Sequence, residues 1–518
     1  MEGPNRDQDC EANENSPLLD PGEQMQNGTS SGPSVGEAVK GFTLRRSMIV
    51  PMCACYIFAG GIFMYIVPQY VQEVMKGNDE RKLPGEIVPQ NMYLLQSKGH
   101  ATFNACSENK SDPSYEKFTK VQQDTARWMI YFNVAVLLPA MFANLVWTSY
   151  SDVFGRKFGL FLCLTSLTIR MTIFTIVVYF KLSLVYVIIG NIIDGLAGTY
   201  TSFFALLFSF VSDITYPGRQ RTITIVVFEL VVGLSFTISS LVSGHLIEQY
   251  GYFYPSVAIS CLSVVGVVIL IFLVPETMQN NQMQGQRSSV VKSIAESVKF
   301  YFCDGSKIKR AKYILLMLGF FFLGIPALSR MSLEVLYQLG RPFCWTSTKI
   351  GWFGAVKMAV SSLFGIGGVY LFKRCFADDT IAFYSLIFGA VAYVVEGLAK
   401  TDIVLYSVTV IAAPTGLSFP MIRSLMSCLT PADKQGAIFA SIGFVETLCS
   451  LVGSVSNNAI YSATLTIMNG FVFLLMAGLT LIGAFFVLLF MIVQRRYKDA
   501  PMETTIIVTP GVDTTHTD

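Results

Sequence analysis

Charge is scarce in this chain. Asp, Glu, Lys and Arg make up 14% of its 518 residues, against about 25% in an ordinary soluble domain. A disordered chain would carry more charge and fewer apolar residues, so that class is excluded. Neither sign is in excess: 37 Lys and Arg against 35 Asp and Glu leave a net +2. A nucleic-acid binder would be basic, so that class is excluded too. Histidine is nearly missing, with three residues, and no cluster has metal-ligand spacing. No Walker loop is present, hence no ATP drive, and no assembled nucleophile–base site points to an enzyme. No cofactor is expected. What the chain has is apolar bulk, 52% of its residues, with a mean hydropathy of +0.52. Apolar surface facing lipid needs no charged covering, so the class that remains is a polytopic membrane protein embedded in the bilayer.

Residues 1–41 are rich in Asn, Ser, Gly, Pro and Glu and read as a disordered tail. They lack the basic start, apolar run and small-residue cleavage site of a signal peptide. Twelve apolar runs follow, each near the roughly 20 residues a helix needs to span a bilayer. They cover 48–71, 127–148, 159–180, 183–211, 222–247, 253–274, 312–337, 348–372, 380–398, 401–426, 435–460 and 464–492. Backbone groups in lipid must be satisfied internally, and the runs do not alternate as barrel strands would, so these are helices 1 to 12 of an all-α protein. The polar segment 278–311, with Arg287, Lys292, Lys299, Lys307, Lys309 and Arg310, divides them six and six. The predicted organisation is a bundle over 42–277, the linker, a bundle over 312–495 and a tail over 496–518. The halves echo each other: Asp213 to Thr222 after helix 4 and Cys428 to Gly436 after helix 10 both carry a Thr, a Pro and a small or polar turn. Two repeated bundles imply a substrate site between them.

Lys and Arg in the short loops set the orientation. Arg156 and Lys157 lie between helices 2 and 3, Arg219 and Arg221 between 4 and 5, Lys373 and Arg374 between 8 and 9, and Arg495, Arg496 and Lys498 after helix 12. The alternate loops are poorer, so both termini are expected in the cytosol and the long loop 72–126 on the opposite side. Of eleven cysteines, only Cys106 and Cys344 then face the oxidising side. They are either a disulfide tying the two bundles or two free thiols. Asn109-Lys110-Ser111 is a glycosylation sequon in the same loop. A second sequon at Asn27 falls in the cytosolic tail.

Ionisable groups at membrane depth are functional candidates by default. Here they are Arg170, Asp194, Glu229, Lys357, Arg423 and Glu446, with Arg330, Glu334 and Glu396 nearer helix ends. Glu229, in Val-Val-Phe-Glu-Leu-Val-Val-Gly, is the sharpest: a desolvated carboxyl there can take and release a proton. The alternative is a structural pairing with a neighbouring helix. Arg423 follows Pro420; its guanidinium pairs with a carboxylate of the protein or of a substrate, or snorkels to the helix end. Asp194, beside Gly190, Gly195 and Gly198, either pairs with Arg170 or lines the cavity with it. Lys357 and Glu446 are candidates for a second pair. His245 ends helix 5 on the non-cytosolic side, as a pH sensor or an interfacial residue.

The loop Ser151-Asp152-Val153-Phe154-Gly155-Arg156-Lys157 resembles the Asp-x-x-Gly-Arg-Arg/Lys signature of the major facilitator superfamily. Gly155 allows a tight turn, Asp152 can cap the next helix or pair with a cation, and Arg156 and Lys157 hold the cytosolic gate. Pro275-Glu276-Thr277 is similar to another superfamily mark. Arg221-Thr222, Glu229 and Ser243-Gly244-His245 resemble the helix-5 pattern of solute carrier family 46, the proton-coupled folate transporter and its relatives. So do Tyr337 to Trp345 with Ile350-Gly351, and Ile422-Arg423 with Gln435-Gly436-Ala437. The resemblance covers roughly residues 45–495. It implies a proton-coupling role for Glu229, a substrate role for the helix-10 Arg423, a gate at Asp152 and Arg156, and an inter-bundle disulfide between Cys106 and Cys344. Helix 7 contains no counterpart of the family's helix-7 histidine. The family's cargoes are folates, cell-wall peptide fragments, cyclic dinucleotides and steroid conjugates, so the implied substrate is a small organic anion and the implied coupling ion a proton.

In the tail, Glu14, Leu18 and Leu19 resemble an acidic dileucine address read by clathrin adaptors. The expected residence is therefore the lysosomal or endosomal membrane, or else the plasma membrane. The expected function is alternating-access symport. A uniporter or exchanger would be indifferent to collapse of the proton gradient. A non-transporting receptor would have no use for charges at membrane depth.

Overall fold

The computed structural model describes residues 47–80, 113–215, 219–277, 307–372, 374–430 and 435–497. Glu14, Leu18, Leu19, Cys106 and Asn109 lie outside the described residues. The fold is all-α, with twelve helix positions in succession. Helix 1 is Ile49–Glu80, helix 2 Pro113–Phe154 and helix 3 Arg156–Phe180. Helix 4 comes in two pieces, Val185–Leu196 and Thr199–Ile214. Helix 5 is Arg219–Tyr250, helix 6 Phe253–Phe272, helix 7 Lys307–Leu339, helix 8 Ser347–Phe372 and helix 9 Asp378–Leu398. Helix 10 is Asp402–Ile411 and Ser418–Cys428 joined by a tighter 3-10 turn, Ala413–Leu417; helix 11 is Gln435–Thr464 and helix 12 Phe471–Arg496. Among the described residues, ten spans are long and apolar enough to cross a membrane.

Local chemistry explains the ends and the breaks. Asp378 and Asp379 open helix 9 and Arg495 and Arg496 close helix 12, each opposing the helix dipole. Helix 4 breaks at Ala197 and Gly198, where Gly198 takes φ +89°, a conformation open to glycine. Trp147 donates its indole N–H to the Leu196 carbonyl freed there, at 2.9 Å. Helix 10 breaks where Pro414 and Gly416 interrupt it. Such breaks are tolerated at membrane depth where neighbouring protein covers the freed backbone.

Helix 2 begins at Pro113, well before the expected 127. Glu116, Lys117, Lys120 and Asp124 in its first turns hide the helix from a hydropathy reading, although proline at a first helical position marks it. Those turns stand on the long-loop side and lean on the other half. The Arg341 guanidinium lies 3.9 Å from the Tyr115 ring centre and 5.2 Å from that of Phe118.

The halves meet along helices 5 and 8 and along helices 2 and 11, with helix 1 against helix 7. Lipid gives no hydrophobic force between helices, so small residues and close approach must hold them. At the crossing of helices 5 and 8, a Cβ on Gly351 would fall 3.1 Å from the Gly244 Cα. Ser240 donates to the Gly351 carbonyl there at 2.8 Å. Within the first half Tyr56 stacks on Phe203 at 3.7 Å between ring centres, a contact of about 0.5–1.5 kcal/mol beyond its burial. In the second half Leu316, Phe320, Leu386, Ile422 and Phe490 form a core of their own.

Candidate functional site

At membrane depth the structure sorts the predicted charges into three groups. In the first half, Arg170 of helix 3 donates to Asp194 of helix 4 at 2.9 Å. Ser166 donates to the other carboxylate oxygen at 3.1 Å, and Phe63 lies under the guanidinium at 4.5 Å. Asp194 is 2% exposed. The pair joins helix 3 to helix 4 just before its break. Of the two readings of Asp194, a pair with Arg170 or a cavity wall, the pair is present, with Ser166 as a second partner.

The second group lies inside the other half. Arg330 of helix 7 bridges Glu396 of helix 9 at 2.6 Å and Glu334 at 3.3 Å. Lys357 of helix 8 pairs with Glu334. Tyr393 offers its ring to Arg330 at 5.1 Å. Glu396 is completely buried. Two cations and two carboxylates balance, which is the condition for keeping charge in a low-dielectric interior. Lys357 therefore does not form the second pair with Glu446 for which both were candidates, because it is turned toward Glu334 of helix 7.

The third group lies where the halves meet. Glu446 pairs with Arg423, six residues beyond the 3-10 turn of helix 10. Arg423 also lies within electrostatic reach of Glu229, across from it on helix 5. One turn on from Glu229, Gly233 packs against Ser362 of helix 8, so this face of helix 5 looks at the second half. Likewise Thr447, next to Glu446, accepts a hydrogen bond from Asn144 of helix 2 at 2.9 Å, and Ser450 meets the Tyr200 hydroxyl at 3.4 Å. The Arg423 side chain keeps 41% exposure. This group thus unites Glu229 and Arg423, the two residues that the sequence marked most strongly. It adds Glu446, whose membrane depth was the available signal.

The loop between helices 2 and 3 is held from below. Gly155 takes φ +93° with the Glu276 carboxylate against it. Glu276 accepts the backbone N–H groups of Arg156 and Lys157, each at 3.1 Å, and so supplies an anion to the start of helix 3. Arg156 bridges Asp213 at the end of helix 4 at 3.2 Å, and Lys157 donates to the Ile271 carbonyl at 2.8 Å. Glu276, from the Pro-Glu-Thr mark, takes the capping role considered for Asp152, whose side chain lies outside the described residues.

On the long-loop side the halves are sewn together. Gln122 donates to the Leu336 carbonyl at 3.3 Å and Gln123 to that of Ser462 at 3.0 Å. Ser347 donates to Gln69 at 2.6 Å. Glu248 accepts the Thr348 N–H at 2.9 Å, at the start of helix 8. Glutamines and serines of this kind carry no sequence motif, and they were not anticipated. His245 is exposed nearby. Cys344 is disulfide-bonded; its partner lies outside the described residues.

Two six-helix halves, sealed at one end and enclosing a cation between carboxylates at their seam, define a secondary transporter of the alternating-access kind. The chain belongs to the major facilitator superfamily, whose family model matches residues 49–454. It is 28% identical over 444 residues to the lysosomal proton-coupled steroid conjugate and bile acid symporter of Gallus gallus, covering 85% of this chain and 93% of that one. It is 27% identical over 381 residues to the proton-coupled folate transporter of Bos taurus, covering 74% and 82%. Both relatives are members of solute carrier family 46. Among solved structures, the human organic anion transporter MFSD10 superposes with a TM-score of 0.56 at 13% identity, over 86% of this chain and 99% of that one.

Proposed function

We propose that this transporter is a proton-coupled symporter of small organic anions. The observation that carries the reading is the group at the seam: one guanidinium, Arg423, with Glu446 bound to it and Glu229 facing it. A guanidinium keeps its charge, so it is the fixed partner for an anionic cargo. A carboxyl opposite it is the exchangeable partner: charged, it competes for Arg423; protonated, it yields. The proton enters at Glu229 from the acid side, the cargo anion settles on Arg423, and rocking of the halves, 42–277 against 312–495, delivers both. Asp152, Gly155, Arg156 and Lys157 form the hinge-side gate, held through Asp213 and Glu276. Arg170 and Asp194 form the wall of the site in the first half.

The names of the two relatives put steroid conjugates, bile acids and folates first among cargoes to try. A lysosomal or endosomal membrane fits the dileucine address Glu14, Leu18, Leu19 and would supply the acid side, with clathrin adaptors as sorting partners. Both termini then face the cytosol, and Cys106 is the partner of Cys344 in a disulfide tying the halves, beside a glycan on Asn109. To test the reading, Leu18 and Leu19 are changed to Ala and display at the cell surface is verified. Uptake of labelled taurocholate and of labelled methotrexate is then measured at acid and at neutral outside pH. Uptake of either that is driven by acid and lost on collapsing the gradient is expected. A displayed protein that moves neither, or moves them regardless of the gradient, overturns the reading.

A further inference from the structure

Arg423 pairs with Glu446 and lies within electrostatic reach of Glu229, and among the described residues of this group the charge does not balance. One cation against Glu446 and Glu229 leaves a net −1 at the seam, in contrast to the neutral group around Arg330. A cargo anion added to that site would raise the excess to −2, which a low-dielectric setting opposes strongly. A proton on Glu229 lowers the excess again, but Glu446 still occupies the guanidinium that the cargo needs. Among the described residues, the one cation that pairs with Glu446 is Arg423. Helix 2 brings Asn144 and helix 4 brings Tyr200 to the same face. Helix 7 brings the Phe321 carbonyl to Cys449. Among the described residues, the charged groups around it are Arg423 on helix 10, which pairs with it, and Glu229 on helix 5, which acts on Arg423.

We infer that Glu446 is a second proton-accepting carboxylate of the site, a stand-in for the cargo that holds Arg423 in the empty carrier and must be protonated before an organic anion can take its place. This deepens the proposed anion symport and rests on it. Two protons then accompany each monoanion: one on Glu229 and one on Glu446 leave Arg423 and the cargo as a neutral pair. The cycle carries a net positive charge inward and responds to membrane voltage. On the far side the cargo leaves, Glu446 loses its proton to water and closes on Arg423 again.

The test uses the full-length protein in proteoliposomes, with labelled taurocholate, a monoanion, as the probe. Glu446→Gln keeps the shape and removes the charge; Glu446→Asp keeps the charge and serves as the rescue. In the unaltered chain the apparent KM should rise about 100-fold per pH unit above the acid range, and in Glu446→Gln about tenfold, because each required proton contributes one power of ten. An inside-negative potential should stimulate the unaltered chain and Glu446→Asp but leave Glu446→Gln indifferent. Equal KM slopes and equal voltage responses in all three would overturn the inference while leaving anion symport standing. A reconstituted, folded chain that shows no acid-driven taurocholate uptake would overturn the anion reading for this cargo class and the inference with it.

Discussion

The second half of the molecule holds two charge groups at membrane depth, built to opposite ends. Around Arg330, charges of both signs balance and every member belongs to helices 7, 8 and 9 of one half. Around Arg423, among the described residues, carboxylates outnumber the cation, one of them belongs to the other half, and the guanidinium is 41% exposed. The first arrangement is closed and keeps its partners through any rocking of the halves. The second is open and changes partners when the halves move. Burial and charge balance thus separate charges that hold the fold from charges available for transport, although both look alike as isolated charges in apolar sequence.

That contrast can be broken deliberately. Arg330→Ala strands Glu396, fully buried, without a cation; the expected loss is about 3–5 kcal/mol, read as a collapse of the folded fraction in size-exclusion profiles of detergent extracts. Asp194→Asn keeps a polar side chain but removes the charge opposing Arg170, so about 1–3 kcal/mol should be lost, visible as a lower Tm. Glu248→Gln weakens the acceptor at the start of helix 8, and about 1 kcal/mol of the long-loop seal should go. A cysteine placed at Ser347 should then react faster with a membrane-impermeant thiol reagent. Arg423→Gln leaves Glu446 without its cation, but at a seam where the guanidinium is 41% exposed, so it should cost less than Arg330→Ala, about 1 kcal/mol, and yet abolish uptake. Equal destabilisation by Arg330→Ala and Arg423→Gln would erase the distinction between the two groups.

Much of this was legible in the sequence, for reasons that differ by feature. The helices show as apolar runs because lipid requires them to. The breaks in helices 4 and 10 were written as Gly195 and Gly198 and as Pro414 and Gly416, though a span count passes over them. The start of helix 2 was not legible, because its first turns leave the membrane and trade apolar residues for Glu116, Lys117 and Lys120. Glu229 and Arg423 announced themselves as charges out of place. Their neighbour Glu446 did so too, but its partner did not: pairing depends on the direction each side chain takes from its helix, and Lys357 turns to Glu334 instead. The seal formed by Gln69, Gln122, Gln123 and Ser347 is built from residues that are unremarkable one by one.

The central claim is that Glu229 links proton movement to cargo movement. Proteoliposomes holding either the unaltered chain or Glu229→Gln, loaded with unlabelled taurocholate, would be assayed for exchange against labelled taurocholate without a gradient, and for net uptake with acid outside. Exchange that persists in Glu229→Gln while acid-driven net uptake is lost is the predicted result. Net uptake that remains acid-driven in Glu229→Gln would contradict the account.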